Sequence, residues 1–134
     1  MLTPLHVDPI SCRLCSIRDF PNLPFTVVVV GPNSGPGGPP GTQPDDQTQA
    51  CLEILKASGS NVNTVGYVST NYTRPNRPVS AVETDIEAYG NWSAAYRPSG
   101  IFFDETTSDS VNVTTYVAYA NFARAHGLNT ASSV

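Results

Sequence analysis

Two short runs that fail to alternate constrain this chain more than anything else in it. Thr26-Val27-Val28-Val29-Val30 is β-branched throughout, and Gly100-Ile101-Phe102-Phe103 is apolar up to Asp104. A strand with one wet face alternates apolar and polar residues. A run apolar at both parities is buried on both sides, as in a parallel sheet covered by helices. Val62-Asn63-Thr64-Val65-Gly66-Tyr67-Val68 is a third strand candidate. The strand starts fall about 35 residues apart with a helical pattern in each gap, the rhythm of βα units joined by right-handed crossovers.

The helical patterns are legible by spacing. Between Asp45 and Ser58, Cys51, Ile54 and Leu55 share a face with Leu52 beside them, and Gly59 supplies a stop. From Ser80 to about Tyr96, Val82, Ile86 and Tyr89 form one stripe, and the Ser80/Glu83 spacing is that of a capping box. From about Asp109 to His126, Val113, Tyr116, Val117 and Ala120 fall on one stripe, ended by Gly127. His126 is read as a favourable charge at that helix C-terminus, and Asp45 and Asp46 as caps of the first helix. Leu5-His6-Val7 is a weaker strand before these, linked through residues 17 to 20, and Leu128 to Val134 begins another strand.

Counting these elements gives four βα units and a fraction in 134 residues. A complete eight-fold barrel takes about 250 residues. The reading is an α/β fold: a partial (β/α) barrel of the TIM type, about its N-terminal half, with parallel strands and covering helices. Residues 1–20 are assigned to an N-terminal segment with a degenerate first strand, and residues 21–134 to the partial barrel. The rival is a small, open, doubly wound sheet, which could be complete at this length.

Charge narrows the partners. The chain carries 7 Lys and Arg against 11 Asp and Glu, a formal net charge of −4. That balance gives no electrostatic footprint for nucleic acid or anionic lipid. No run approaches the roughly 20 apolar residues of a membrane span. Charged residues make up only 13%, so Asn, Ser, Thr and Gln must supply surface polarity, as in secreted or cell-surface proteins. Three sequons, at Asn71, Asn91 and Asn112, point the same way. The first residues show no basic stretch followed by a long apolar one, so no signal peptide is visible. Together these predict that the natural N-terminus lies upstream.

Cys12-x-x-Cys15 lacks the further clustered ligands a zinc site needs, so no metal is expected, and Cys12, Cys15 and Cys51 are read as free thiols. Gly31 to Pro44 follows a strand and precedes a helix, where a phosphate-binding turn would sit. It lacks the Gly-Lys-Ser/Thr of a P-loop, and its prolines remove the N–H groups that would cradle an anion. A stiff loop shaping a pocket wall is expected instead, and no organic cofactor.

Barrels and open α/β sheets alike bind ligands at the C-terminal ends of their strands. Asn33 and Ser34 follow the Val27–Val30 run. Tyr67 lies inside the end of the next strand, which Ser69, Thr70, Asn71 and Tyr72 follow. Asp104 and Glu105 follow Phe103. Adjacent strand residues point to opposite faces, so the two carboxylates are expected to diverge unless the strand bends there. Aromatic neighbours favour a raised carboxyl pKa, suited to a general acid.

The segments Pro24-Phe25-Thr26-Val27-Val28-Val29-Val30, Pro32-Asn33-Ser34-Gly35-Pro36-Gly37, Gly66-Tyr67-Val68-Ser69-Thr70-Asn71-Tyr72, Val82-x-x-Asp85-Ile86 and Gly100-Ile101-Phe102-Phe103-Asp104-Glu105 occur in this order. Together they resemble the spherulin-4 family, over about residues 21 to 127. That family comprises cell-surface or secreted proteins common in fungi, similar to barrel glycosidases that cut α-1,4-linked galactosaminoglycans. The resemblance implies that Asp104 and Glu105 are the acidic pair of an active site and that Tyr67, Thr70, Tyr72 and Asn33 line a substrate pocket. It implies a polysaccharide substrate. Gly31 stands where the family pattern has Asn. Glycosidases need two carboxyl groups flanking the bond, and the resemblance puts the partner on a later strand. Two functions follow as expectations: a glycoside hydrolase acting on an amino-sugar polysaccharide, with this chain truncated, or a non-catalytic cell-surface carbohydrate-binding or structural protein. A small nucleotide-binding domain is disfavoured by the proline-laden loop.

Overall fold

The computed structural model of the chain describes residues 3–7, 26–31, 34–57 and 62–132. Cys12, Cys15, Asn33, Gly59 and the link through residues 17–20 lie outside the described residues. Five strands are present: β1 (Thr3–Val7), β2 (Thr26–Val30), β3 (Val62–Ser69), β4 (Gly100–Asp104) and β5 (Asn129–Ser132). Three helices alternate with the last four: α1 (Asp46–Ala57), α2 (Val79–Gly90) and α3 (Val113–Ala125). Every neighbouring pair is parallel, and the sheet order is β1-β2-β3-β4-β5.

That order runs with the sequence and never reverses. A doubly wound sheet requires a reversal at its switch point, so that rival is excluded for the described strands. The sheet is open, with β1 and β5 at its edges. When right-handed crossovers all advance in one direction, every helix lands on the same face. The core bears this out. Leu52 and Leu55 of α1, Ile86 and Tyr89 of α2, and Tyr119 and Ala123 of α3 pack in one cluster with Val30, Val68, Ile101 and Phe103. The register Val30↔Gly66↔Ile101, with Val68↔Phe103, puts those four strand residues on one face. Each fully buried Leu or Ile there contributes about 2 kcal/mol of transfer free energy. Val29, Val65, Tyr67 and Phe102 have the opposite parity and occupy the other face. Two-sided burial of this kind is why β2 and β4 carry no polar alternation.

The ends of β2 and β3 are held by one side chain. The Tyr89 ring lies directly over Gly66, where any Cβ would come within 2.7 Å of it. Its hydroxyl reaches the carbonyls of Val30 (3.0 Å) and Tyr67 (2.9 Å). Burial raises the Tyr89 pKa well above the usual phenol value, so the hydroxyl stays a donor. Trp92 meets the same ring edge-on at 5.0 Å.

Helix ends follow the sequence in part. Asp45 caps α1 as expected, accepting from the Thr48 amide at 2.8 Å. The 6→1 and 5→2 bonds of a Schellman motif close α3: Leu128 N–H donates to Ala123 O and Gly127 N–H to Arg124 O. Gly127 takes φ +77 there, a torsion that costs other residues strain. The Ser80/Glu83 capping box does not form. Pro78 occupies the cap and the helix starts at Val79, which puts Ser80 inside the first turn. Pro78 takes the cap two residues before Ser80, a position where its missing N–H costs no helical bond. α2 also stops at Gly90, well before Tyr96. The α3 stripe is rotated from its expected setting. Val113 and Val117 are 55% and 51% exposed, and Tyr119 and Ala123 are buried. Tyr119 stacks on Phe103 at 5.9 Å, and the larger aromatic area outweighs the two valines. Cys51 is buried in the core cluster.

Gly66→Ala is expected to lower the unfolding free energy by about 1–3 kcal/mol, because the added methyl must displace a packed ring. Urea denaturation measures this, and an unchanged midpoint would show that the ring is not seated on Gly66.

Candidate active site

β3 and β4 lie side by side with Tyr67↔Phe102 and Ser69↔Asp104 in register. Tyr67, Ser69 and Asp104 therefore project from the helix-free face. The Tyr67 hydroxyl donates to Asp104 Oδ2 at 3.0 Å. An undistorted strand would send Glu105 to the opposite face. Instead Glu105 takes φ +55, and the bend returns its carboxylate to the same side, where Ser69 Oγ donates to Oε1 at 2.6 Å. The two acids are thus brought together, each held by a hydroxyl from β3.

Thr70 enforces the bend. It is wholly buried. Its amide donates to Asp104 O at 3.0 Å, and its hydroxyl reaches the carbonyls of Asp104 (3.2 Å) and Glu105 (2.9 Å). Thr70 holds the acids from beneath and has no surface with which to meet a ligand. The Tyr72 amide adds a bond to Glu105 O at 2.6 Å.

Backbone strain gathers at this end of the sheet. Asn71, Tyr72 and Thr73 have φ of 47, 56 and 59, Glu105 has 55, and Ser34 has 59. These are the non-glycine residues with positive φ among those described, and all follow the C-terminal ends of β2, β3 or β4. A left-handed residue with a Cβ costs about 1–2 kcal/mol. Such conformations persist where surrounding structure over-determines them, and they cluster at binding and catalytic sites. The left-handed turn leaves Tyr72 45% exposed, with the Arg74 guanidinium 5.0 Å from its ring centre.

A cleft of about 650 Å³ adjoins the pair, walled by Ser34 to Pro39 on one side and by Ser69, Arg77, Thr84 and Asp85 on the other. Arg77 donates from Nε to Ser69 O at 2.5 Å and forms an ion pair with Asp85. Ser69 belongs to both the cleft and the acid pair. The sequence placed Asp104, Glu105, Tyr67, Thr70 and Tyr72 at strand ends, and the structure gathers these five around one bend. The sequence did not single out Ser69, Arg77 or Asp85 as partners. The available signal was an Arg between two prolines, Pro75 and Pro78, and one acid, Asp85, beside the apolar stripe of α2. Among the described residues no group of three or more His, Cys, Asp or Glu is arranged to hold a metal ion, and no helix is long and apolar enough to cross a membrane.

Partial burial pushes the Tyr67 phenol up to about 12 from 10.0; the bond to Asp104 and the charges of Asp104 and Glu105 add to this, against a smaller opposing pull from Arg77. A raised folded-state pKa means stability is fully present below the unfolded value and is lost as pH rises through the folded one. The stability difference between the native protein and Tyr67→Phe should hold up to about pH 10 and diminish towards pH 12. Unfolding curves taken across that range measure it. A difference that stays constant to pH 12 would show that neither burial nor the acids raise the Tyr67 phenol.

Searches of curated proteins and of solved structures each returned no match. A family model, that of spherulation-specific family 4, matches residues 12–134. The match takes in β2 to β5, the proline-rich loop, the left-handed turn and both acids. By that match this chain belongs to spherulation-specific family 4.

Proposed function

We propose that the protein is a glycoside hydrolase of a cell-surface or secreted type that acts on an α-1,4-linked amino-sugar polysaccharide, and that its sheet is the N-terminal half of a (β/α) barrel. The observation that carries this reading is the bend at Glu105. It turns two adjacent carboxylates to one side of the strand ends, each with a hydroxyl donor. The non-reversing strand order and the helix-free face support the barrel reading, since a barrel keeps its helices outside and its inner face for side chains.

Glycosidic cleavage passes through an oxocarbenium-like state and needs one carboxyl to protonate the leaving oxygen and another to stabilise charge or activate water. In this reading Asp104 and Glu105 line the cleavage point. Tyr67 and Ser69 fix the carboxylate orientations, because both donors sit on a strand rather than on a loop. Thr70 acts through the backbone. The exposed Tyr72 offers a ring face for a sugar. A further carboxyl group from a later strand would complete the flanking pair.

Incubation of the full-length protein with α-1,4-galactosaminoglycan should release new reducing ends. Asp104→Asn and Glu105→Gln should each lower the rate by at least about 100-fold, the scale of a lost acid–base group. Release unaffected by either substitution would remove these carboxylates from the mechanism. Binding without release by the unsubstituted protein would favour a carbohydrate-binding module.

A further inference from the structure

The cleft beside the acids has a chemistry that the cleavage step does not use. Its two charged groups, Arg77 and Asp85, are paired with each other, so it presents donors and acceptors without net charge. Ser34, Ser69 and Thr84 add hydroxyls to the lining. Pro36 and Pro39 contribute ring faces and no N–H groups. A surface of this kind suits an uncharged, polyhydroxylated ring with C–H faces better than an anion, which the half-buried Asp85 carboxylate would repel. The volume, about 650 Å³, lies within the ~300–1,000 Å³ of small-molecule sites.

The cleft is also fixed in shape and tied to the acids. Asp85 faces the proline-rich loop: a Cβ on Gly35 would lie 3.9 Å from Asp85 Oδ2. Arg77 holds the Ser69 carbonyl while the Ser69 hydroxyl holds Glu105. A saccharide seated in the cleft therefore abuts the residue that orients one of the two carboxylates.

We propose that this cleft is a subsite for a pyranose unit of the polysaccharide next to the bond at Asp104 and Glu105, recognised by the Arg77–Asp85 pair and the hydroxyls around it. The proposal rests on the saccharide-cleaving reading above and extends it. The site then grips its polymer to one side of the acids, over Ser69 and towards the β2–α1 loop. Affinity should grow with oligosaccharide length until the cleft is filled.

Thr84 is the residue to change. It is exposed, and its hydroxyl bonds only back along its own helix, to Ser80 O at 2.7 Å. Thr84→Trp adds bulk to the α2 wall of the cleft at a residue that bonds neither β3 nor the acids, and Thr84→Ser keeps the hydroxyl as the conservative comparison. The experiment measures dissociation constants by calorimetry for α-1,4-linked N-acetylgalactosamine oligosaccharides, from disaccharide to hexasaccharide, in the full-length protein carrying Glu105→Gln to stop turnover. The gain in affinity from disaccharide to hexasaccharide should shrink about tenfold with Thr84→Trp, the loss of roughly one well-made sugar contact, and should survive Thr84→Ser. Matching melting curves establish that both variants are folded. If Thr84→Trp leaves the length dependence intact, the subsite is overturned and the cleavage site stands. If no oligosaccharide binds or is cleaved at any length with Thr84 in place, the saccharide reading and the subsite fall together.

Discussion

One backbone torsion governs this site. At Glu105 the chain leaves β4 in a left-handed conformation, and that turn decides whether two sequential acids diverge or converge. The torsion opposes the intrinsic preference of a residue with a side chain, by about 1–2 kcal/mol. It holds because Thr70 satisfies both carbonyls that flank the bend from a position with no solvent to compete. Net hydrogen bonds of about 1 kcal/mol each, made where water is absent, offset the strain. The acids are therefore oriented by β3, the strand beside them, more than by their own.

The frame on which that torsion rests was written plainly in the sequence. β2 and β4 match their apolar runs to the residue, and β3 extends one residue further than its pattern, because two-sided burial excludes polar residues from both parities. Asp45 and Gly127 announced a helix start and stop by chemistry that is local and so visible locally. Ser80 misled for the same reason. Its spacing to Glu83 is right for a capping box, but Pro78 two residues earlier had already set the helix start. In α3 the apolar period was correct and its rotation was not, since the choice between Val117 and Tyr119 depends on Phe103, ten or more residues away in sequence. The bend at Glu105 was illegible in principle. Nothing in Phe103-Asp104-Glu105-Thr106 demands a left-handed torsion; the demand comes from Thr70.

Tyr89 links the two levels. Its ring needs a glycine beneath it, and its hydroxyl fixes the carbonyls where β2 and β3 approach their ends. The loop carrying the cleft wall leaves β2 one residue beyond Val30, and the turn carrying Ser69 and Thr70 leaves β3 two residues beyond Tyr67. A single core side chain thus sets the spacing between the two walls of the cleft. This explains a glycine in the middle of β3, where it weakens pairing and offers no packing of its own.

The placement of charge separates the two halves of the site. Asp104 accepts from the Tyr67 hydroxyl and Glu105 from the Ser69 hydroxyl, so each carboxylate is oriented by a neutral donor on β3. Asp85 has its cation in direct contact, so the adjoining cleft is electrically quiet. A low-dielectric setting magnifies an unneutralised charge and mutes a paired one. Acids oriented by neutral hydroxyls, beside a cleft whose own charges pair with each other, fit the proposed reacting point and subsite. Had Arg77 turned to Glu105 in place of Asp85, Asp85 would have stood in the cleft without its cation. The ion pair between Arg77 and α2 therefore does more than anchor a loop: it holds the guanidinium where its Nε fixes the strand that orients the acids.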